Sequence, residues 1–318
     1  MIKTLDDILE LSKNDGKRVR VAVAAAQDEA ALTAMIDAIE FGIARGILFG
    51  DAEQIEQILQ QHHFAAFKYI EIHGCWDDVE AAEKSVASIR TGKADLLLKG
   101  KLKTATLLKA VLHEEKGLRS GRLLSDVFLF ENPLRADNKL MMITDGGVTL
   151  KPDLKQKIEI IENAVTVAHA LGNANPHIAL LSAVETVNKK IPSTLDAAII
   201  TTMNKRGQIA GCTIDGPFAL DNALSEAAAK IKGIDSPVAG KADILVCPEI
   251  ESANLLAKAT TYFGNFRLAH VIIGSTAPVM IPSRADTADA KLLSIALGKL
   301  IYLSLDYPMK DEELFNLY

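Results

Sequence analysis

Ser283 and Arg284 stand side by side in "GSTAPVMIPSRADTADAK", residues 274–291, where an apolar run gives way to acids and a threonine. A serine hydroxyl can donate to a developing oxyanion, and a guanidinium presents a fork of N–H groups that fits phosphate or carboxylate oxygens. The pair follows "APVMIP", which reads as a strand, at the carboxyl end where open α/β sheets place ligands. Asp286 or Thr287 can cap the helix that begins next, and Asp289 in its first turn is favoured by the helix dipole by roughly 0.3–1 kcal/mol. Capping thus accounts for both acids. It does not account for Arg284, a cation near the positive end of a helix, unless an anion lies between them.

"KGKLKT" is a second candidate for an anion. Lys99, Lys101 and Lys103 recur at a spacing of two as the strand "ADLLLKG" ends. If the extended geometry persists, all three point to one side, beside the free N–H groups of a helix that Thr104 would cap. Lys109, further into that helix, is either a surface lysine or a more distant anion contact. From Lys99 to Arg122 there are seven basic residues against two acids, in a chain with a formal net charge of -6. That balance fits a small polyanion and argues against nucleic acid, which needs a broad basic face. A solvated lysine edge that discourages sheet aggregation is the alternative.

Three more polar turns invite the same question. In "TDGGVT" the Asp145-Gly-Gly sequence reads as a turn whose glycines take positive φ without steric cost. In "IDGPFALDNALS", Asp215 and Gly216 read as the end of a strand, with Asp221 near a helix start. In "AGKADILVCPEIESANLLAK" the strand ends at Pro248, and Ser252 or Asn254 opens the helix. Other chemistries lack their signatures: there is no GxGxxG after the first strand, no GxxxxGK followed by Ser or Thr, no HExxH among seven histidines and no GxSxG. The three cysteines, Cys75, Cys212 and Cys247, are far apart and read as small buried hydrophobes.

The elements that must position these residues alternate. "RVRVAVAAA", "GILFG", "KYIEIHG" and "ADLLLKG" read as short buried strands. Between them lie a helix with Leu32, Met35, Ile36, Ile39 and Ile43 on one face, then "DAEQIEQILQQ" and "DVEAAEKSVASIR". Such a pattern predicts parallel pairing with both sheet faces covered. A helix over 104–115 leads to "SDVFLFE" and "LMMITDGG", close enough for an antiparallel excursion. Pro152 then falls in the first turn of a helix carrying Leu154, Ile158, Ile161, Val165 and Ala168 as a stripe and stopping at Gly172. "HIALLSAV", "AAIITT", "CTIDGPFAL", "ADILVCPEI" and "AHVIIG" continue the alternation, and a last helix covers about 289–305.

A chain of 318 residues with 49% apolar, 24% charged and only 5% aromatic residues describes a globular α/β protein with an aliphatic core and roughly two domains. The N-terminus does not read as a signal peptide and no run reaches ~18 apolar residues, so the expectation is a soluble, cytoplasmic protein without membrane partners.

The stretches "TDGGVTLKPDLKQKIEIIENAV", "DGPFALDNALS", "VAGKADILVCPEIESANLLAK" and "GSTAPVMIPSRADTADAKLLSIAL" resemble the phosphate acetyl/butyryltransferase family, most of all its phosphotransbutyrylase branch. The resemblance runs over essentially the whole chain. It implies two α/β domains with an interdomain cleft, of the isocitrate/isopropylmalate dehydrogenase type, with residues 1–143 plus 272–318 as one domain and 144–271 as the other. It implies reversible transfer of a short-chain acyl group, acyl-CoA + phosphate = acyl phosphate + CoA, by direct attack in a ternary complex. CoA is then a substrate; no cofactor and no metal are expected, the partners are acyl-CoA, phosphate and acyl phosphate, and the chain is expected to form a homo-oligomer.

Carried over residue by residue, the family's Ser-Arg pair matches Ser283 and Arg284. The acetyl branch has an Asp seven residues after the Ser, a position occupied here by Ala290, so Asp289 is taken as the catalytic acid/base with Asp286 in reserve. Lys109 falls where the acetyl branch has an Arg. Lys99, Lys101, Lys103, Thr104, Asp145, Asp215, Asn254 and Asp286 complete the expected CoA and phosphate site. A thiol with a pKa of ~8.5 facing an Asp of ~3.9 makes proton transfer uphill by about 6 kcal/mol. Asp289 therefore needs burial, or a cation such as Arg284 favouring the thiolate. The alternatives are a phosphate acetyltransferase using acetyl-CoA, a non-catalytic CoA or acyl-phosphate binder, and a divergent metal- and NAD-dependent dehydrogenase, which should show clustered metal-ligating acids.

Overall fold

The computed structural model describes residues 2–14, 16–133, 135, 140–283 and 285–305. Helix α1 (Leu5–Lys13) precedes β1 (Val19–Ala24), α2 (Glu29–Glu40), β2 (Ala44–Gly50), α3 (Ala52–Gln61), β3 (Ile70–Gly74), α4 (Asp78–Arg90), β4 (Leu96–Lys99) and α5 (Thr104–Val111). Three of these helices start the same way. Asp28, Asp51 and Asp77, each the N-cap after a strand, accept backbone N–H groups of α2, α3 and α4. The chain continues with β5 (Ser125–Glu131), β6 (Leu140–Thr144), α6 (Leu154–Ala170), β7 (His177–Leu181), α7 (Pro192–Lys205), β8 (Thr213–Phe218), α8 (Leu220–Leu224), α9 (Glu226–Ile231), β9 (Ile244–Val246), α10 (Ile250–Tyr262) and β10 (Leu268–Ile273). It ends with β11 (Val279–Met280) and α11 (Ala288–Ser304).

These elements gather into two compact units, residues 8–121 with 275–318, and residues 1–7 with 122–274. The first has a wholly parallel sheet in the order β3-β2-β1-β4-β11. The second has a mixed sheet, β10-β5-β6-β9-β7-β8, in which β5 pairs antiparallel with both β10 and β6 and the remaining pairs are parallel. The expected antiparallel excursion is thus present. It moves the domain boundary, however: β5 and β6 pair with β10 and β9, so the compact unit begins near residue 122 rather than 144.

Aliphatic side chains fill both units. In the parallel-sheet unit α11 is buried from Ala290 through Tyr302, so it presents no solvent face along that span. Several local readings shift. The strand read as "APVMIP" is only Val279–Met280. "AAIITT" lies inside α7, which opens on Pro192, a residue that fits the first helical turn. Pro152 sits just before the cap of α6: Asp153 caps it, in a capping box with Gln156. Helix α5 ends at Val111, short of residue 115. Among the described residues no helix is long and apolar enough to cross a membrane.

Candidate active site

Parallel strands β1, β4 and β11 are neighbours, so their carboxyl ends, Ala24, Lys99 and Met280, open on the same edge of the sheet. The loops leaving that edge are tied together by their backbones. Gly100 N donates to Ala24 O at 2.9 Å and Lys101 N to Ala25 O at 2.8 Å. Glycine is required at 100 because a Cβ there would overlap the carbonyl oxygen of Ala25.

The loop after β11 folds into a tight turn. Ser283 N donates to Asp286 Oδ2 at 2.7 Å, and Asp286 N returns to Ser283 O at 3.1 Å. Asp286 is 9% exposed. Ser283 is half-buried, and its hydroxyl accepts a long bond, 3.4 Å, from Ala285 N. The side chain that opens α11 is Thr287, whose Oγ1 accepts from Ala290 N at 3.2 Å, so of the two candidate caps Asp286 is not the one used. Asp289 lies exposed in the first turn of α11, and its charge, after burial and Glu40, helps raise the pKa of Asp37 on α2. Arg284 lies outside the described residues.

Lys291 was missed from the sequence. Only 1% exposed, it donates from Nζ to Asp286 O at 2.9 Å and lies 4.0 Å from Asp28 Oδ1, the cap of α2. A buried cation thus braces the turn that presents Ser283. The readable signal is that "AKLLSIALGKL" is apolar all round, so a lysine in its first turn has no solvent face to occupy.

The three lysines of "KGKLKT" do not line up. The chain leaves the extended geometry at Gly100 and turns over Leu102, which is fully buried. Lys99 is 2% exposed and donates to Gly100 O at 3.2 Å and Leu102 O at 3.5 Å. Lys101 and Lys103 stay exposed in the loop between β4 and α5. Lys101 lines a cavity of about 540 Å³ whose other charged residues, Asp51, Asp77 and Asp78, are acidic. Lys103, not Thr104, occupies the N-cap of α5; Thr104 is the first helical residue. Lys109 is exposed on α5 and lines a groove of about 560 Å³ facing Glu83, Ala87 and Arg90 of α4.

The remaining expected residues belong to the mixed-sheet unit. Asp145 is buried after β6, where its carboxylate accepts from the backbone of Asp126 (3.0 Å), Gly147 (3.0 Å), Val148 (3.1 Å) and Thr149 (2.8 Å). Burial first, and then the Asp126 carboxylate, raise its pKa above 3.8. Neither glycine of "TDGGVT" takes positive φ. They are needed for close approach: a Cβ on Gly147 would come within 3.0 Å of Asp126, and one on Gly146 within 3.3 Å of Asn254 N. Asn254 lies within α10, which Glu249 caps with Ser252 at the third position, and its amide donates to Gly146 O at 3.0 Å. Asp215 and Gly216 fall inside β8 rather than at its end; Asp215 accepts from Gly216 N at 2.9 Å. Strand β8 stands three places from β6, on the order of 14 Å, so Asp215 does not join the Asp145 turn.

Among the described residues no group of three or more His, Cys, Asp or Glu side chains could hold a metal ion. Cys212 and Cys247 are buried, as expected, and burial pushes their thiols up to about 11 and about 12. Cys75 is half-buried.

Residues 77–298 match the family model described as phosphate acetyl/butaryl transferase. The chain is 44% identical over 301 residues to the phosphate butyryltransferase of Clostridium beijerinckii, covering 95% of this chain and 98% of that protein. It is 42% identical over 294 residues to the phosphate acetyltransferase of Thermotoga maritima, covering 92% and 98% respectively. The crystal structure of a branched-chain phosphotransacylase from Enterococcus faecalis V583 superposes with a TM-score of 0.77 at 33% identity, covering 89% of this chain and 99% of that one. The chain therefore belongs to the phosphate acetyl/butyryltransferase family.

Proposed function

We propose that this protein is an acyltransferase that moves a short-chain acyl group reversibly between CoA and inorganic phosphate, acyl-CoA + phosphate = acyl phosphate + CoA. The observation that carries the reading is near full-length similarity to phosphate butyryltransferase; the Ser283-Arg284 pair of this chain is the one that the resemblance assigns to the chemistry.

In the acyl-phosphate-forming direction a phosphate oxygen attacks the thioester carbonyl, the carbonyl oxygen takes up negative charge, and the C–S bond then breaks to release the CoA thiolate. Arg284 is assigned to the phosphate and that oxyanion, where a fixed cation away from water contributes several kcal/mol. Ser283 donates a hydrogen bond to the phosphate or the oxyanion; among the described residues its hydroxyl carries only the long contact from Ala285 N. Asp286 and Lys291 act through Ser283 as positioning residues, since they fix the turn and not the substrate. Asp289 is assigned to proton exchange with the CoA thiol; it is exposed rather than buried, so of the two aids it needs only a cation such as Arg284, favouring the thiolate, is left to it. Lys101 and Lys103 are the exposed lysines available to CoA phosphates, and burial of Lys99 makes it part of the strand end. The isocitrate/isopropylmalate dehydrogenase type of fold, assembly as a homo-oligomer and a cytoplasmic location are parts of the same proposal.

Acetyl and butyryl groups differ by two methylenes, worth about 1.6 kcal/mol when buried, or roughly fifteenfold in specificity. A series of acetyl-, propionyl-, butyryl- and branched acyl-CoA, with CoA release followed by a thiol reagent with and without phosphate, tests both reaction and preference. The expected result is phosphate-dependent release, fastest with a four- or five-carbon acyl group. Release that ignores phosphate would make the protein a thioesterase, and no release with any member would leave a binding protein.

A further inference from the structure

The parallel-sheet unit holds a further polar cavity, of about 620 Å³, on a sheet face beside α4. Helix α4 packs over β1 and β2, and edge strand β3 lies at its margin, so the groove runs along the strands between the helix and the sheet edge. Its lining has five cations, Arg20, Arg45, Lys68, Lys84 and Lys93, against the single carboxylate Glu71. In a chain whose net charge is -6, this is a local reversal of sign.

Two of the cations are already matched. Arg20 makes a two-point ion pair with Asp95, 2.6 and 3.0 Å, and Lys84 pairs with Glu80 at 2.9 Å. Arg45, Lys68 and Lys93 form no ion pair with a carboxylate among the described residues. They converge near the strand starts: Arg45 stands beside Arg20 in register, and both Arg45 and Lys68 lie over the Tyr69 ring, 5.8 and 5.1 Å from its centre. Like charges set side by side repel, and an anion between them relieves this.

The other end of the groove is aromatic. Phe49 and His73, paired across β2 and β3, stack at 5.0 Å with 16° between their planes. His73, on the edge strand, is exposed, Phe49 beside it on β2 is buried, and His73 Nε2 lies 3.6 Å from Glu71 Oε2, so the ring is held from two sides and can serve as a platform. Arg45 and Phe49 are four residues apart on β2, about 13 Å along an extended strand. Glu71 lies between the two ends, where a carboxylate can accept from hydroxyl groups but would repel phosphate. The Ser283 turn leaves the carboxyl end of this parallel sheet, whereas Arg20 and Arg45 are second residues of their strands, at the opposite end.

We propose that this groove is a second ligand site that takes a nucleoside phosphate, with phosphates against Arg45, Lys68 and Lys93, the sugar hydroxyls toward Glu71 and the base on His73. The same chemistry is presented by a free nucleotide and by the nucleotide end of CoA. Titration calorimetry of the full chain with ADP, adenosine, inorganic phosphate and CoA, in wild type and in an Arg45→Gln, Lys93→Gln double variant, tests it. ADP should bind wild type at least about tenfold more tightly than the double variant, because two charge-assisted contacts are lost. Adenosine and phosphate, each engaging one end, should bind more weakly than ADP. Both substituted residues are exposed, so the melting temperature and nucleotide-free CoA release should not change. Lys68→Gln alone provides an independent check. A second CoA site that disappears in the double variant identifies the nucleotide end of CoA as occupant; a single CoA site that persists while ADP binding is lost identifies a free nucleotide. No ADP binding, or equal binding by wild type and double variant, would overturn the proposal.

Discussion

The turn after β6 and the turn after β11 look alike in sequence, each an aspartate in a polar stretch that follows an apolar strand. Their side chains are used differently. Both carboxylate oxygens of Asp145 are taken up by backbone N–H groups of its own loop and of β5. Around Ser283 the holding is done by neighbours: Asp286 fixes the backbone, Lys291 fixes Asp286, and among the described residues the serine hydroxyl has a 3.4 Å contact alone. The two turns thus differ in which atoms their neighbours leave available, and the proposal gives chemistry to the one whose side chain is less engaged.

That contrast is broken most severely at the Ser-Arg pair. Arg284→Ala, and to a lesser degree Ser283→Ala, should lower the turnover of phosphate-dependent CoA release by about 10²–10³-fold, the usual effect of removing an oxyanion donor, with unchanged melting. A purified variant with near-normal turnover would take the residue out of the mechanism.

Asp145→Ala should do the reverse. Four N–H groups lose their acceptor, so stability falls by on the order of 3 kcal/mol in chemical denaturation, while turnover per folded molecule changes little. Loss of turnover at unchanged stability would move Asp145 into the chemistry. Its pH signature has a definite sign. Because the native carboxyl titrates above 3.8, the folded chain keeps a proton that the unfolded chain has released just above that pH. The group's contribution to stability therefore declines as pH rises through that window, and Asp145→Asn should remove this slope from the stability profile.

Asp289→Asn should have a smaller effect, a several-fold loss of CoA-consuming rate that is largest at low pH, where free thiolate is scarce. A loss of about 0.5 kcal/mol in stability with the rate untouched would assign it to the helix dipole alone. The smallest response is expected at the cysteines. With thiols raised to about 11 and about 12, Cys212 and Cys247 should resist a thiol reagent at pH 8 until the chain unfolds, whereas half-buried Cys75, its thiol also raised by burial, should be labelled slowly in the native state.

Much of this architecture is legible in the sequence. "DVEAAEKSVASIR" is α4 residue for residue, because Asp77 caps it and Gly92 follows it. The antiparallel excursion shows in two apolar runs too close for a crossover helix. What could not be read depends on distant neighbours. Strand spacing placed Lys99, Lys101 and Lys103 on one side, but the strand stops at Lys99 because Gly100 passes against Ala25 and Leu102 turns inward. The glycines after Asp145 were legible as a turn but not as space for Asp126 and Asn254. Lys291 was quoted in the motif yet its role was invisible, since Asp28 comes from the other end of the chain.

The most direct test of the acyl-transfer account is product analysis with butyryl-CoA. CoA release is measured as phosphate is titrated, and butyryl phosphate is trapped with hydroxylamine in the same reaction. One butyryl phosphate for each CoA released, with a rate that saturates in phosphate and collapses in Arg284→Ala, is the predicted result. CoA released without an equal amount of acyl phosphate, or at a rate independent of phosphate, would contradict it.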